Sequence, residues 1–309
     1  MFRGLNTKGL RGPLTVLALA GAVFGAGYLL GQHRAESRFH ALYPERNIDA
    51  YASAPAEVPA APRAVRPAPR PAPRTVTETR EVPVKRVGPA KLAVVLDDWG
   101  NDTRLLDPLI ALKRPVTLAI LPHLEHSTVV ARRAKSAGLG VMLHLPMQAK
   151  SKGAAQEPDT ILTTSTEPEI RRTIDRALSD VPGVEGVNNH QGSAATSDER
   201  VMRAVLTHLK QKKLFFIDSF VIASTVGPDV AAEVGIPFDK RDVFIDNVDE
   251  VEAVKTQLRK AVRVALKNGE AVAIGHDRRA TVQALAELVD EIEAAGVRLV
   301  LARELVRAS

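Results

Sequence analysis

From Lys91 onward the chain alternates between short apolar runs and longer stretches in which apolar residues return every three or four positions. Read as strands, the short runs are Leu92–Leu96, Val116–Leu121, Gly140–Leu143, Gly186–Asn188, Leu214–Ile217, Val243–Ile245, Ala271–Ile274 and Arg298–Leu301. The longer stretches His126–Ala137, Glu167–Leu178, Asp198–Gln211, Asp249–Lys267 and Thr281–Ala295 are amphipathic and predict helices. Continuous apolar strands separated by helices imply a parallel sheet covered on both faces. The count of units predicts an α/β fold, a closed or nearly closed (β/α) barrel of about seven to eight parallel strands. An open doubly wound sheet is the alternative.

The first 90 residues follow a different pattern. Residues 12–32 contain no charged side chain, and the apolar stretch Pro13–Gly31 within them would reach roughly 28 Å as a helix, about the thickness of a bilayer's hydrocarbon core. Arg3, Lys8 and Arg11 precede it, which keeps residues 1–11 cytoplasmic and predicts an inner-membrane anchor with the remainder exported. A cleaved signal peptide is the competing reading. Residues 33–90 form a Pro-, Ala- and Arg-rich linker: 9 of the 20 prolines lie between Ala54 and Ala90, a composition that stays extended and builds no core. The chain therefore divides into a cytoplasmic end, an anchor, a linker and a domain over 91–309.

Charge changes the picture only by its location. Of the 42 Lys and Arg and 36 Asp and Glu residues, residues 1–90 hold 13 and 6, leaving that segment at +7 and the domain at −1. The basic pI of about 9.6 thus belongs to the tail, and the domain lacks the electrostatic footprint of a nucleic-acid binder. Aromatic residues make up only 4%, too few for a base-stacking platform. No GxGxxG follows the first strand and no Walker-type loop occurs, so no nucleotide partner is expected. The absence of cysteine excludes disulfides, thiolate metal sites and a thiol nucleophile.

Chemistry gathers where the predicted strands end. The first run leads into Asp97-Asp98, the third into His144, the fourth into Asn188, Asn189, His190 and Ser193. The fifth gives Asp218 and Ser219, the sixth is framed by Arg241, Asp242, Asp246 and Asn247, and the seventh ends on His276. In a parallel barrel all these ends open on one face, so residues far apart in sequence converge there. Histidine and carboxylate donors without cysteine suit zinc or another divalent metal. His123 and His126, after the second strand, are further candidates.

The segments LAVVLDDWG, TLAILPH, GLGVMLHLPMQ, GVNNHQGSAAT, LFFIDSFVIAST, IPFDKRDVFIDN and AIGHDRRAT resemble, in order and spacing, the divergent polysaccharide deacetylases. That family is a branch of the chitin and peptidoglycan deacetylase superfamily. The resemblance spans Lys91 to Leu305 and implies a distorted (β/α) barrel and a metal-dependent hydrolase that removes acetyl groups from a cell-envelope glycan. By it, Asp97 resembles the general base, Asp98 a metal ligand, His144 the first metal-binding histidine and His276 the late histidine that acts as general acid or orients the tetrahedral intermediate. Asn188, Asn189, Ser193, Asp218, Ser219, Arg241 and Asp246 are expected to bind substrate or to support these groups. One departure stands out: Gln148 occupies the place of the second histidine of the superfamily's His-x-x-x-His motif. We take His190 as its substitute. The departure also leaves open a second reading, a glycan-binding or regulatory envelope protein that has lost the reaction. A third is a metal-dependent glycan or phosphate hydrolase of another reaction class; paired carboxylates also serve glycosidases, but the histidine-rich strand ends favour a metal.

Overall fold

The structure, a computed structural model, describes residues 88–151 and 156–307. The expected cytoplasmic end, anchor and most of the linker lie outside the described residues. No helix among the described residues is long and apolar enough to cross a membrane.

Among the described residues, nine strands form one sheet: β1 (Ala90–Trp99), β2 (Thr117–Ile120), β3 (Gly140–Met147), β4 (Gly186–Gln191), β5 (Phe215–Asp218), β6 (Phe238–Lys240), β7 (Val243–Phe244), β8 (Glu270–His276) and β9 (Val297–Val300). Seven helices of the described residues alternate with them: α1 (Leu106–Ala111), α2 (Ser127–Ser136), α3 (Glu167–Asp180), α4 (Glu199–Gln211), α5 (Gly227–Val234), α6 (Val251–Asn268) and α7 (Arg279–Ala294). Eight strands follow the order β6-β5-β4-β3-β2-β1-β8-β7, and β9 lies beside the first half of β1. All of these pairings are parallel.

The order shows how far the sheet curls. Its two end strands, β6 and β7, are separated in sequence only by Arg241 and Asp242. Arg241 N–H donates to Asp218 O on β5, whereas the next amide, Asp242 N–H, donates to Val272 O on β8. Consecutive residues therefore hydrogen-bond toward opposite ends of the sheet. This is the curled parallel α/β architecture that the strand pattern predicts.

Side chains alternate across the strands. On β1, Leu92, Val94 and Leu96 join the outer core under the helices, while Ala93 and Val95 join the smaller inner core. Met142, Ile217, Val272 and Ile274 also point inward, and Ala302 and Leu305 from the C-terminal turn complete that cluster. Gly186 is required where β4 meets β5, because a Cβ there would overlap the Phe215 ring. Helix ends carry the expected signals. Thr166 and Glu169 form a capping box on α3, and Asp198 accepts from Val201 N–H at the start of α4.

The inner face is apolar in its lower part and polar in its upper part. Continuing the alternation beyond Val95 gives Asp97; beyond Met142, His144; beyond Ile274, His276; beyond Ile217, Ser219. The same strands that seal the core therefore deliver the polar groups to one mouth.

Candidate active site

Asp97 arrives by strand period alone, but Asp98 does not, since its neighbour's alternation would turn it toward the helices. Two features redirect it. The β1–β2 register shifts between Leu96 and Trp99, and Asp98 adopts a φ of 65°, which few residues other than glycine tolerate. Both carboxyls then face the mouth, with Asp97 4% and Asp98 8% exposed.

Asp98, His144 and His190 bring one donor atom each into a small triangle, and together they could hold a metal ion. His144 Nε2 lies 3.4 Å from Asp98 Oδ1, and His190 Nδ1 lies 3.2 Å from the same oxygen. The two ring nitrogens stand 3.1 Å apart. A tetrahedral ion with bonds of about 2.0–2.1 Å needs donors separated by about 3.3–3.4 Å, so the triangle is of the right size.

Around the triangle, neighbouring groups fix its orientation. Asn188 Oδ1 lies 2.9 Å from His144 Nδ1, so this nitrogen carries the proton and Nε2 is free to act as a donor. The amide of Asn188 donates to Asp97 Oδ1 at 2.8 Å and reaches Ser219 Oγ at 3.3 Å. One buried side chain thus links His144 to Asp97. Asp97 Oδ2 is 3.7 Å from His144 Nε2, outside the triangle but beside it.

On the opposite side, Asp246 Oδ1 lies 2.9 Å from His276 Nδ1, while its Oδ2 accepts from His276 N–H and from Thr281 Oγ. Phe244 packs edge-on against the His276 ring, and the Arg241 guanidinium covers Phe244 at 4.7 Å. Arg241 itself is anchored by donating to Ser219 O and Phe220 O.

Burial divides the two aspartates. It pushes Asp97 above the usual carboxylate range, despite the opposing charges of His144 and His276 and the Asn188 hydrogen bond. Burial acts on Asp98 too, but the close approach of His144 and His190, with the charge of His276 beyond them, outweighs it and holds Asp98 well below that range. Burial disfavours the His276 cation, yet the Asp246 hydrogen bond and the nearby aspartates raise His276 overall.

The position where a second histidine was expected is used otherwise. Gln148 Oε1 accepts from Thr163 N–H at 2.6 Å and from its hydroxyl at 2.9 Å, bracing the loop after β3. His190 stands instead beside His144.

Other expected residues support the mouth without entering it. Asp218 points outward: it accepts from Phe220 N–H and from the Thr225 hydroxyl, so it shapes the loop before α5. Asn189 accepts from Ser219 N–H and donates to Gln191 O. Ser193 Oγ accepts from Lys150 N–H. His123 sits between Asp180 and Asp159, at 2.5 and 3.2 Å, and is not part of the triangle. His126 precedes α2, and its N–H donates to Gly100 O. Thr281 and Phe244 were not singled out from sequence. Thr281 read as a helix start and Phe244 as one more apolar strand residue.

Comparisons with known proteins agree with this architecture. The chain is 35% identical over 199 residues to the uncharacterised protein YibQ of Escherichia coli, covering 64% of this chain and 62% of that protein. It is 34% identical over 196 residues to an uncharacterised protein of Haemophilus influenzae, covering 63% of this chain and 70% of that one. Less than two thirds of the length of YibQ is therefore matched. The crystal structure of the uncharacterised protein ATU2773 from Agrobacterium tumefaciens superposes with a TM-score of 0.67 at 20% identity, over 71% of this chain and 90% of that one, a likeness of fold. A sequence profile matches residues 94–306, the span that carries every group described above, and the chain belongs to the divergent polysaccharide deacetylase family.

Proposed function

We propose that the domain is a metal-dependent hydrolase that removes acetyl groups from a cell-envelope polysaccharide. The observation that carries this reading is the division of labour at the mouth. Three donor atoms form a triangle of metal-site size, a separate carboxyl stands beside it, and a His–Asp pair faces it. A divalent ion held by Asp98, His144 and His190, zinc being the natural choice for this donor set, would lower the pKa of water and polarise a carbonyl. Asp97, kept outside the triangle and held by Asn188, takes the proton of the attacking water. His276, its Nδ1 held by Asp246, presents Nε2 to the leaving nitrogen or oxygen and protonates it. His190 supplies the second imidazole that Gln148 does not, which supports retained chemistry over a purely glycan-binding role.

The test is acetate release. Full-length protein reconstituted with zinc should liberate acetate from N-acetylated glycan oligomers or from peptidoglycan. A chelator should abolish the release, and added zinc should restore it. Protein that holds zinc and binds these glycans but releases no acetate would favour the binding-protein reading.

We further propose a single-pass location in a bacterial inner membrane, with the domain on the periplasmic side. This rests on the uncharged residues 12–32 and the basic flank of Arg3, Lys8 and Arg11. A reporter active only in the periplasm, fused after residue 90, should be active. Activity of a cytoplasm-only reporter at that junction would overturn the placement.

A further inference from the structure

Many arginines of this domain meet carboxylates: Arg114, Arg203 and Arg259 pair with Glu293, Glu233 and Glu291. Two at the mouth do not. Arg241 donates from Nε to Ser219 O and from Nη2 to Phe220 O, at 2.7 and 2.9 Å. Arg278 donates from Nη1 to Asp246 O at 2.7 Å. All three acceptors are backbone carbonyls, which fix a guanidinium without neutralising it. Both residues are half-buried, yet neither forms an ion pair within the described residues.

The two arginines flank His276. The Arg241 guanidinium lies 4.7 Å from the centre of the Phe244 ring, and that ring packs edge-on against His276. Asp246 holds Arg278 through its carbonyl and His276 Nδ1 through its carboxylate. The nearby carboxylates are engaged elsewhere. Asp246 Oδ2 accepts from His276 N–H and from the Thr281 hydroxyl. Asp218 accepts from Phe220 N–H and the Thr225 hydroxyl, and Asp97 from Asn188. The charge of Asp277 acts on Arg104. Burial pushes Arg241 below the usual guanidinium range, against the pull of Asp97 and Asp218. A partly buried cation is unfavourable unless it is paired, so an anion bound here relieves a penalty built into the fold.

We infer that the sugar deacetylated at this mouth itself carries a carboxylate, which Arg241 and Arg278 receive beside His276. The inference rests on the deacetylase reading, in which His276 faces the leaving nitrogen or oxygen of that sugar. With Nε and one N–H of Nη2 given to carbonyls, Arg241 keeps Nη1 and the second N–H of Nη2. That remaining edge matches the two oxygens of a carboxylate. Stacking on Phe244 holds its plane. The hydroxyls of a neutral sugar could accept the same hydrogen bonds but would leave both charges without a counter-ion.

The test measures binding rather than turnover, on metal-free full-length protein in detergent, so that a carboxylate cannot simply ligate zinc. The probes are peptide-free glycan strands of peptidoglycan, which carry a lactyl carboxylate on alternate acetylated sugars, and the same strands with those carboxylates amidated. Amidation should weaken binding about 10–100-fold, the usual worth of a hydrogen bond to a charged group. Higher salt should narrow the difference. Arg241→Gln and Arg278→Gln should each reduce it, and the double variant should abolish it. Arg241→Lys, which keeps the charge but not the fork, should retain only part. If Arg241→Gln fails to fold by thermal unfolding, Arg278→Gln alone must still reduce the difference. Equal binding of both forms by wild type, no binding of the free-carboxylate strands, or a difference unchanged in the folded variants overturns the inference. If the strands bind through their carboxylates but the zinc-loaded protein releases no acetate, the deacetylase reading fails and the anion site stands. If acetate leaves intact and amidated strands equally fast and both bind alike, the reverse holds.

Discussion

Replacing Asp98 or His144 with alanine is expected to leave a folded protein that no longer retains metal and releases no acetate. Each supplies one of three donor atoms lying 3.1–3.4 Å from one another. Two remaining donors do not hold an ion against competition from water. The loss should exceed the roughly 10–100-fold that changes outside the ligand set cause. The two variants should differ in stability. His144→Ala leaves Asn188 Oδ1 buried without its partner, costing about 1–3 kcal/mol. Asp98→Ala removes a buried charge but leaves alanine at φ 65°, a left-handed conformation that aspartate tolerates better, so its folding cost carries a backbone component that His144→Ala lacks. Zinc stoichiometry by mass spectrometry, read beside thermal unfolding, checks both. Either variant retaining zinc at wild-type affinity would show that the triangle is not the ligand set.

The residues of this site were legible in the sequence; the reason they meet was only partly so. Period-two alternation places Asp97, His144 and His276 on the inner face once Ala93, Val95, Met142 and Ile274 are known to be there. Sequence gives that alternation but not which face is inner, because both faces of a parallel strand are apolar. Asp98 breaks the pattern through a bulge and a positive φ, and neither has a local sequence signal here beyond the following Gly100. The run before His144 reads as ending at Leu143, yet β3 continues to Met147, since it stays paired with β4 as far as Met147 and Gln191, and the Pro146 carbonyl accepts from Ile161 N–H. Short elements were missed for lack of length. β6, α1 and α5 span three, six and eight residues, too few to display a period. Asp218 illustrates the opposite error. It ends a strand as the others do, but its phase points outward, where it serves the α5 loop. A strand-end carboxylate is informative only together with its parity.

Parity also predicts that the neighbouring aspartates, identical in chemistry, will respond differently to substitution. Asp97→Asn is expected to keep zinc at near wild-type affinity and to lose turnover by about 10²–10⁴-fold, the usual contribution of a positioned general base. The geometry separates the pair. Asp98 Oδ1 lies within 3.4 Å of both ring donors, whereas Asp97 approaches only His144, at 3.7 Å. Asn188 donates to Asp97 Oδ1 at 2.8 Å, and the carbonyl oxygen of an asparagine accepts the same hydrogen bond. The replacement therefore preserves the link from Asp97 through Asn188 to His144 and removes only the capacity to take a proton. Asp98→Asn makes the matching control: it exchanges an anionic donor for a neutral one and should weaken metal binding itself. Zinc affinity and the rate of acetate release, measured on both variants, give a two-by-two answer. If Asp97→Asn sheds its metal while Asp98→Asn keeps it, the roles are exchanged, and the bulge at Asp98 serves the proton transfer rather than the ion.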